Sequence, residues 1–342
     1  MKRHGGPFEA RSVAPIFPVR MLALDIDGTL VNETRIVPER TRTIVTAALA
    51  AGVRVSLITG RMPTSALRFA AQMRLVDPIV GYQGAVVREI RRSGDDRPGK
   101  LLYHEPISAA GAQAVVRWAY AHGMGAHVNL LERFIIQRDD PHWEEYSAFL
   151  GGLAHPVDDL FKVIERPVSK VTAIGEPPLP ESLVAAAREA LGHIAQPTIS
   201  HPRFLEFVAP GVNKGRALRW LARRQGIPLE QVMAIGDQLN DLEMVAAVGH
   251  GVAMANAPAE LKALARYVAP SVFEEGAATI IEAMVLARSA AAARSSAGRF
   301  VTEPGPSPAA APADGASGPT APAVGSPRAA RGPLARPPVE SR

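Results

Sequence analysis

The stretch MLALDIDGTL, residues 21–30, places Asp25 and Asp27 directly after an apolar run that is typical of a buried β-strand. Side chains two residues apart in a strand point to the same side, so the two carboxylates can converge on one centre. Gly28 follows them and permits an unusual backbone conformation. Because like charges on one face repel, the pair favours a cation or a developing charge between them. Taken alone, the motif also fits two solvated acids at a strand end.

Two further motifs carry groups that bind anions. LITGR, residues 57–61, follows the apolar strand VRVSLI, and its Thr59 hydroxyl and turn N–H groups can cradle phosphate oxygens. Lys214, in GVNKGRALRW, opens a helix with apolar residues at helical spacing, where a cation opposes the helix dipole unless an anion binds it. Separately, these motifs also fit an ordinary strand-to-helix turn and a solvated lysine.

A fourth motif, AIGDQLNDLEM at residues 234–244, ends the apolar strand VMAIG in Asp237 and begins a helix that carries Asp241. Residues four apart lie near each other around one helical turn. Two acids at a helix start also fit simple compensation of the helix dipole. The motif by itself therefore leaves both readings open.

The four motifs together predict a site for Mg²⁺ and a phosphoryl group. The strand ends offer a pair of aspartates, a Thr-Gly turn, a lysine and a second pair of aspartates. In open α/β sheets, ligands bind outside the carboxyl ends of the strands. Oxygen donors suit a hard cation that keeps several waters. The chain contains no cysteine and no paired-histidine spacing, which argues against zinc.

The motifs DIDGTL, ITGR, NKG and GDQLND resemble the four ordered motifs of the haloacid dehalogenase superfamily. YQGAVV at residues 82–87 and GVAMANAPAELKALARYVAP at residues 251–270 narrow the resemblance to its Cof-type, class IIB, phosphatases. The match covers roughly residues 20–290. It implies an α/β fold with a doubly wound parallel, Rossmann-like core sheet and an inserted α/β cap of the C2 type over the site.

The resemblance also implies roles for the acids. Asp25 would be the nucleophile that forms an aspartyl-phosphate, and Asp27 would protonate the leaving oxygen and then deprotonate the attacking water. Mg²⁺ would be held by the Asp25 carboxylate, the Asp27 main-chain carbonyl and Asp237. Asp241 and Asn240 would complete that metal site directly or through water.

Phosphate binding by Thr59, the Gly60 amide and Lys214 follows from the same resemblance. Arg61 could pair with a second anionic group or be a surface arginine. Gln83 stands in YQGA where many relatives have asparagine. It could contact the substrate or support a residue that does. SVFEEG retains Glu274 and Glu275 where relatives show a longer acidic stretch, and neither glutamate is predicted as a site residue.

The alternation of strands and helices predicts a core that an insertion interrupts. Residues 20–85 and 199–290 carry the motifs and form the catalytic core, and residues 86–198 form the cap. Residues 1–19 are expected to be a flexible basic segment. The Ala/Pro-rich residues 291–342 lack apolar periodicity and are expected to be a disordered tail. A cap selects the substrate; its polar residues His127, Asn129 and His142 could face it, be exposed, or be bonded within the structure.

Composition limits the classes of partner. The 342 residues allow two domains and contain no apolar window of the ~18 residues that a membrane span requires. Glycines and prolines break the first twenty residues, so no secretory signal is expected, and the absence of cysteine favours the cytoplasm.

Charge is concentrated in the termini. Residues 1–20 hold four basic residues against one acid and residues 290–342 hold six arginines against three acids, whereas the body carries about one net negative charge. No specific nucleic-acid or membrane partner is therefore predicted, and the oligomeric state is open.

The leading functional hypothesis is a Mg²⁺-dependent hydrolase of small phosphomonoesters, such as sugar phosphates or phosphorylated cofactors. A phosphotransferase of the phosphomutase kind is the main alternative. A signalling receiver uses similar groups within a single ~120-residue domain, whereas here they extend from residue 25 to residue 241 around an insertion. Dehalogenation and a catalytically silent interaction protein are the remaining alternatives.

Overall fold

The computed structural model describes residues 17–91, 99–140, 143–144 and 154–287. The predicted tail, most of the predicted N-terminal segment and His142 lie outside the described residues. The described strands run in chain order as β1 (Met21–Leu24), β2 (Arg54–Leu57), β3 (Ile79–Gly81), β4 (Val86–Arg88), β5 (Leu101–His104), β6 (Gly125–Leu130), β7 (Arg133–Gln137), β8 (Ala154–Val157), β9 (Lys170–Ile174), β10 (Gln196–His201), β11 (Phe204–Val208), β12 (Val232–Gly236), β13 (His250–Met254) and β14 (Tyr267–Ala269).

The α-helices of the same residues lie between these strands. They are α1 (Glu39–Ala50), α2 (Pro63–Gln72), α3 (Ala109–Ala121), α4 (Leu160–Val163), α5 (Glu181–Leu191), α6 (Lys214–Arg224), α7 (Leu242–Ala246), α8 (Ala259–Leu264) and α9 (Gly276–Ile281). Short 3₁₀ turns at Tyr82–Gly84, Leu229–Gln231, Leu239–Asp241 and Val272–Glu274 and a π-helix at Glu282–Leu286 complete the regular structure.

A parallel sheet with the order β14-β13-β12-β1-β2 forms the core. Alternate residues of β1 point to opposite faces: Leu22 and Leu24 pack with α1, α2 and α9, whereas Met21 and Ala23 pack with α6, α7 and α8. Burial on both faces explains why these strands read as continuous apolar runs. The predicted doubly wound α/β core is confirmed.

The three strands β3, β4 and β5 form a separate antiparallel sheet, and we propose that this sheet extends the core rather than belonging to the cap. A single parallel bridge from Ile58 to Val80 connects β3 with the end of β2. The sequence pattern assigns residues 86–88 and 101–104 to the cap. Their pairing with β3 holds them beside the core, because the hydrogen bonds of a hairpin keep adjacent strands together.

The inserted unit is built on a six-stranded sheet with the order β10-β11-β9-β6-β7-β8. It is antiparallel except for the pair β7 and β8, and one of its faces packs on α3 and α5. The predicted boundary at residue 199 falls inside β10, and β11 also pairs within this sheet rather than in the core. We propose that the insertion extends from the end of β5 to the end of β11.

Helix α6 shows how local sequence places a site residue. Asn213 is its N-cap, and the Asn213 side chain accepts a hydrogen bond from the Arg216 amide at 2.7 Å. Lys214 is therefore the first helical residue, as predicted. It follows the last strand of the inserted sheet, however, and not the end of a core strand.

In the part of the chain that the structure describes, no helix combines the length and apolar character needed to cross a membrane. The cytoplasmic location stays a prediction.

Replacing Asn213 with alanine is expected to destabilise the protein by about 1 kcal/mol, because the Arg216 amide loses its acceptor. Thermal unfolding should show a midpoint roughly 2 °C lower. Asn213→Asp keeps a capping oxygen and serves as the control, expected to unfold close to the wild-type temperature. Equal losses in both variants would contradict the capping role.

Candidate active site

The two aspartates of the first motif have different environments. Asp25 follows β1, is only 5% exposed, and points to a buried cluster of charges. The Asp27 side chain is 53% exposed and accepts two hydrogen bonds from Arg61, from Nε at 2.6 Å and from Nη2 at 2.5 Å. The two carboxylates therefore have different partners, Asp25 within a buried carboxylate cluster and Asp27 with Arg61, while both line the same cavity.

Three buried carboxylates form the cluster, namely Asp25, Asp237 and Asp241, whose ligand oxygens lie within 4.8 Å of one another. Asp237 stands at the end of β12 and accepts a hydrogen bond from the Thr29 hydroxyl at 2.9 Å. Burial and the neighbouring carboxylates raise the pKa of Asp25 well above its usual value and that of Asp237 to about 7. The cluster thus holds an excess of negative charge that a cation would relieve.

Lys214 neutralises only part of this charge. Its Nζ lies 2.9 Å from Asp25 Oδ1 and 2.6 Å from Asp241 Oδ1, and its side chain is 1% exposed. Burial by itself would lower the pKa of Lys214, but the charges of Asp241 and Asp25 outweigh it and raise that pKa. Lys214 is therefore a fixed cation beside the proposed nucleophile.

The donors and the space at the cluster fit a hard cation. Gly28 has a φ of +77°, and a Cβ at that position would lie 2.0 Å from Asp237 Oδ2, so glycine keeps this side of the carboxylate open. Asp241 Oδ2 already accepts from the amides of Asp237 and Gln238 at 2.9 and 3.0 Å. Asp25 and Asp237 thus retain more capacity for a metal ion than Asp241, which is held by the protein.

The Thr59–Arg61 loop brings its groups to the same cavity. Thr59 is 1% exposed, and its hydroxyl oxygen accepts a hydrogen bond from the Arg61 amide at 3.1 Å. The alternative of a surface arginine is wrong for Arg61, because its side chain is only 15% exposed and binds Asp27. Thr59, Gly60 and Arg61 line the cavity with Asp25 and Lys214, as the motifs predicted.

Gln83 connects three parts of the site. Its backbone is left-handed, with a φ of 59°, and it is 2% exposed. Its Nε2 donates to Glu206 Oε2 at 2.6 Å, while its Oε1 accepts from Asn240 Nδ2 at 3.0 Å. One side chain therefore joins the inserted unit to the loop after β12. The Asn240 amide oxygen has no hydrogen-bond partner within the described residues, and Asn240 lines the cavity.

Two buried charges of the inserted unit were missed by sequence reasoning. Lys170 in β9 forms an ion pair with Glu206 in β11, and the Lys170 Nζ also donates to the Gly60 carbonyl at 3.0 Å. Both residues are less than a tenth exposed. The available signal was a charged residue in each largely apolar strand, at the start of KVTAI and in the middle of FLEFV, since an unpaired charge is rarely buried.

The core and the inserted unit enclose a cavity of about 440 Å³ above the carboxylate cluster. His127 and Asn129 are buried and line it, so the exposed alternative is wrong for both. Glu274 and Glu275 have structural partners: Glu274 closes a capping box with Ser271, and Glu275 accepts from Thr41. Leaving both glutamates out of the predicted site agrees with these contacts.

Gln83→Asn is expected to break the connection between Glu206 and Asn240, because a side chain shorter by one methylene cannot reach both partners. One lost hydrogen bond should cost about 1 kcal/mol, which urea unfolding can measure. Gln137→Asn, the same change on β7 outside the cavity, is the matched control. A Gln83→Asn protein as stable as the control would contradict the bridging role.

Comparison with known proteins agrees with this geometry. The family model for haloacid dehalogenase-like hydrolases matches residues 22–281. The 5-amino-6-(5-phospho-D-ribitylamino)uracil phosphatase YitU of Bacillus subtilis is 28% identical over 270 residues, covering 77% of this chain and 96% of that protein. The HMP-PP phosphatase of Serratia proteamaculans is 30% identical over 248 residues, covering 72% of this chain and 87% of that protein.

A solved structure of a haloacid dehalogenase-like hydrolase from Bacteroides thetaiotaomicron superposes with a TM-score of 0.67 at 25% identity, covering 77% of this chain and 98% of that one. The fold, the ordered motifs and the sequence relatives thus agree. The chain therefore belongs to the haloacid dehalogenase-like hydrolases, and its resemblance to the Cof-type phosphatases is confirmed.

Proposed function

We propose that this protein is a Mg²⁺-dependent phosphomonoester hydrolase that acts on small phosphorylated metabolites through a phosphorylated Asp25. The observation that carries the proposal is the contact of Asp25 with Lys214 beside two further buried carboxylates. A nucleophilic carboxylate, a fixed cation and a set of oxygen donors are the groups that phosphoryl transfer requires in one place.

In the first step, a carboxylate oxygen of Asp25 attacks phosphorus and the bond from phosphorus to the leaving oxygen breaks. Asp27 donates a proton to that oxygen. In the second step a water molecule attacks phosphorus, the bond from phosphorus to Asp25 breaks, and Asp27 takes the proton from the water. The same side chain thus serves as acid and then as base.

Two sets of groups would stabilise the charge on the transferred phosphoryl group. Lys214 lies within hydrogen-bond distance of Asp25 and would bind an oxygen of the incoming phosphate, with Thr59 and the Gly60 amide binding others. Mg²⁺ held by Asp25 and Asp237, with the Asp27 main-chain carbonyl, would supply positive charge that lets the phosphate approach a carboxylate. Asp241 would hold Lys214 and the loop after β12 in place.

The ion pair with Arg61 restricts proton transfer by Asp27. Its guanidinium holds the Asp27 carboxylate through two charge-assisted hydrogen bonds, so Asp27 can reach a leaving group only when that pair opens. A phosphate entering the cavity is an alternative anion for Arg61, since both side chains line it. Substrate binding would then release the Asp27 carboxylate, which could take up a proton from water or from a singly protonated phosphate ester and donate that proton to the leaving oxygen.

Small metabolites are the substrate class that the cavity favours. A volume of about 440 Å³ suits one small organic molecule. Two of the relatives are named for phosphorylated small molecules. Phosphotransferase chemistry is the alternative, and formation of an isomeric phosphate without release of inorganic phosphate would favour it.

The first test is phosphate release from a panel of phosphorylated metabolites, with and without Mg²⁺. Asp25→Asn is expected to lower turnover by about 10³-fold or more, because an amide is no nucleophile for phosphorus. Asp158→Asn, the same substitution at an exposed site of the inserted unit, is the matched control and should retain wild-type turnover. Undiminished turnover in the Asp25→Asn protein would exclude the proposed mechanism.

The second test concerns the metal. The raised pKa of Asp237, about 7, means that its ionisation destabilises the metal-free fold as pH rises from about 4 towards 7. Asp237→Asn is therefore expected to unfold about 3 °C above the wild type at pH 8 in chelator, and this difference should disappear near pH 4. Added Mg²⁺ should stabilise the wild type and have little effect on the variant. Equal stabilisation of both proteins by Mg²⁺ would contradict the metal site.

A further inference from the structure

The sheet of the inserted unit has one apolar face and one polar face. Side chains alternate along its strands, so that Val128, Val171 and Phe207 pack towards α3 and α5. The opposite face of the same strands lines the cavity above Asp25. The residues through which it lines that cavity are His127, Asn129, Phe134, Lys170, Phe204 and Glu206.

The charges on this cavity face balance. Lys170 and Glu206 are its only formally charged lining residues in the described part of the inserted unit, and they pair with each other. Burial and the charge of Lys170 hold the pKa of His127 well below its usual value, so that imidazole is neutral. A charged group of a substrate placed against this face would meet no unpaired counter-charge from the described part of the inserted unit, which makes its desolvation unfavourable.

The cavity face also offers an unsatisfied acceptor. Asn129 is 4% exposed, and its side-chain oxygen has no hydrogen-bond donor among the described residues. The Asn129 side-chain nitrogen lies against the Tyr82 hydroxyl oxygen. The Tyr82 hydroxyl itself donates a hydrogen bond to the Leu131 carbonyl. Because buried acceptors are normally paired, the Asn129 oxygen is a position where a donor from a bound molecule would fit.

Apolar surface lies beside this acceptor. Phe134 is the cross-strand partner of Asn129, and Phe204 extends the apolar area on β11. An amide oxygen next to aromatic rings accommodates a molecule that is apolar on one side and carries hydroxyl or N–H groups on another.

We propose that this face selects phosphomonoesters whose leaving group is uncharged at the end remote from the phosphate and donates a hydrogen bond, from a hydroxyl or an amide N–H, to the Asn129 side-chain oxygen. The inference rests on the proposed phosphatase function and assigns Asn129 as a specificity-determining residue. It also assigns the Lys170–Glu206 pair as the reason that charged leaving groups are disfavoured.

Matched pairs of esters test the charge preference. Sorbitol phosphate and phosphogluconate, both esterified at carbon six, differ in a terminal hydroxyl against a carboxylate. Glucose phosphate and glucosamine phosphate, also esterified at carbon six, differ in a hydroxyl against an ammonium group. The neutral member of each pair should have a kcat/KM higher by about tenfold or more. Hydrolysis of p-nitrophenyl phosphate, whose leaving group has no donor, is the reference for the shared chemistry.

Substitutions test the acceptor. Asn129→Asp is expected to shift the ratio of kcat/KM by about tenfold towards glucosamine phosphate over glucose phosphate, because a carboxylate pairs with an ammonium group. Asn129→Leu should lower the kcat/KM for the neutral sugar esters about tenfold relative to that for p-nitrophenyl phosphate, because leucine offers no hydrogen-bond acceptor. Gln137→Glu makes the same amide-to-acid change on β7 outside the cavity and should leave both ratios unchanged.

Three results would overturn the inference. One is a wild-type preference for the charged member of either pair. Another is an Asn129→Asp protein with the wild-type ratio. The third is a wild type that hydrolyses p-nitrophenyl phosphate but none of the sugar esters. If the wild type hydrolyses neither p-nitrophenyl phosphate nor any ester of the wider metabolite panel, the proposed function itself fails, and the inference fails with it.

Discussion

The site depends on a buried imbalance of charge. One lysine, Lys214, lies between Asp25 and Asp241, while Asp237 adds a third carboxylate without a cation of its own among the described residues. Burying such a cluster is costly unless hydrogen bonds and a further cation compensate it. The protein supplies the hydrogen bonds from Thr29 and from the amides after β12. What remains uncompensated is negative charge that a bound cation would neutralise.

This constraint explains the arrangement of the loops around the cluster. Gly28 has a positive φ and leaves space beside Asp237, where any side chain would collide with the carboxylate. Asp241 is held by two amides and Lys214, which keeps the lysine directed at Asp25. Preorganised groups of this kind stabilise a transition state without reorganising during the reaction.

The inserted unit contacts these loops through polar groups as well as through apolar packing, since Met62 and Tyr82 belong to the same hydrophobic cluster as its sheet. Lys170 reaches the Gly60 carbonyl, and Glu206 reaches Gln83, which in turn accepts from Asn240. The Thr59–Arg61 loop and the loop after β12 thus share contacts with the sheet that lines the cavity. The proposed selection of substrate and the proposed positioning of catalytic groups would therefore be physically connected, since the Lys170–Glu206 pair takes part in both.

The sequence alone determined the parallel core, the order of its motifs and the identity of the clustered acids, because each follows from a local pattern. A buried parallel strand reads as a continuous apolar run, and its polar end marks the edge where ligands bind. Asp25, Asp237 and Thr59 were found by this reasoning, and Lys214 by its place at the start of a helix. Asp25, Thr59 and Lys214 line one cavity, and Asp237 lies beside Asp25. Their chemical roles remain proposals.

Only the tertiary structure decided which groups meet across distant strands. The pairing of Asp27 with Arg61, the bridge through Gln83 and the buried Lys170–Glu206 pair each join residues far apart in the chain. The boundary that we propose for the inserted unit, after β11 rather than at the predicted residue 199, rests on the pairing of β10 and β11 with the antiparallel sheet, which no local pattern encodes. Local periodicity specifies which face of a strand is apolar, whereas the partner opposite each polar residue depends on how the strands pack.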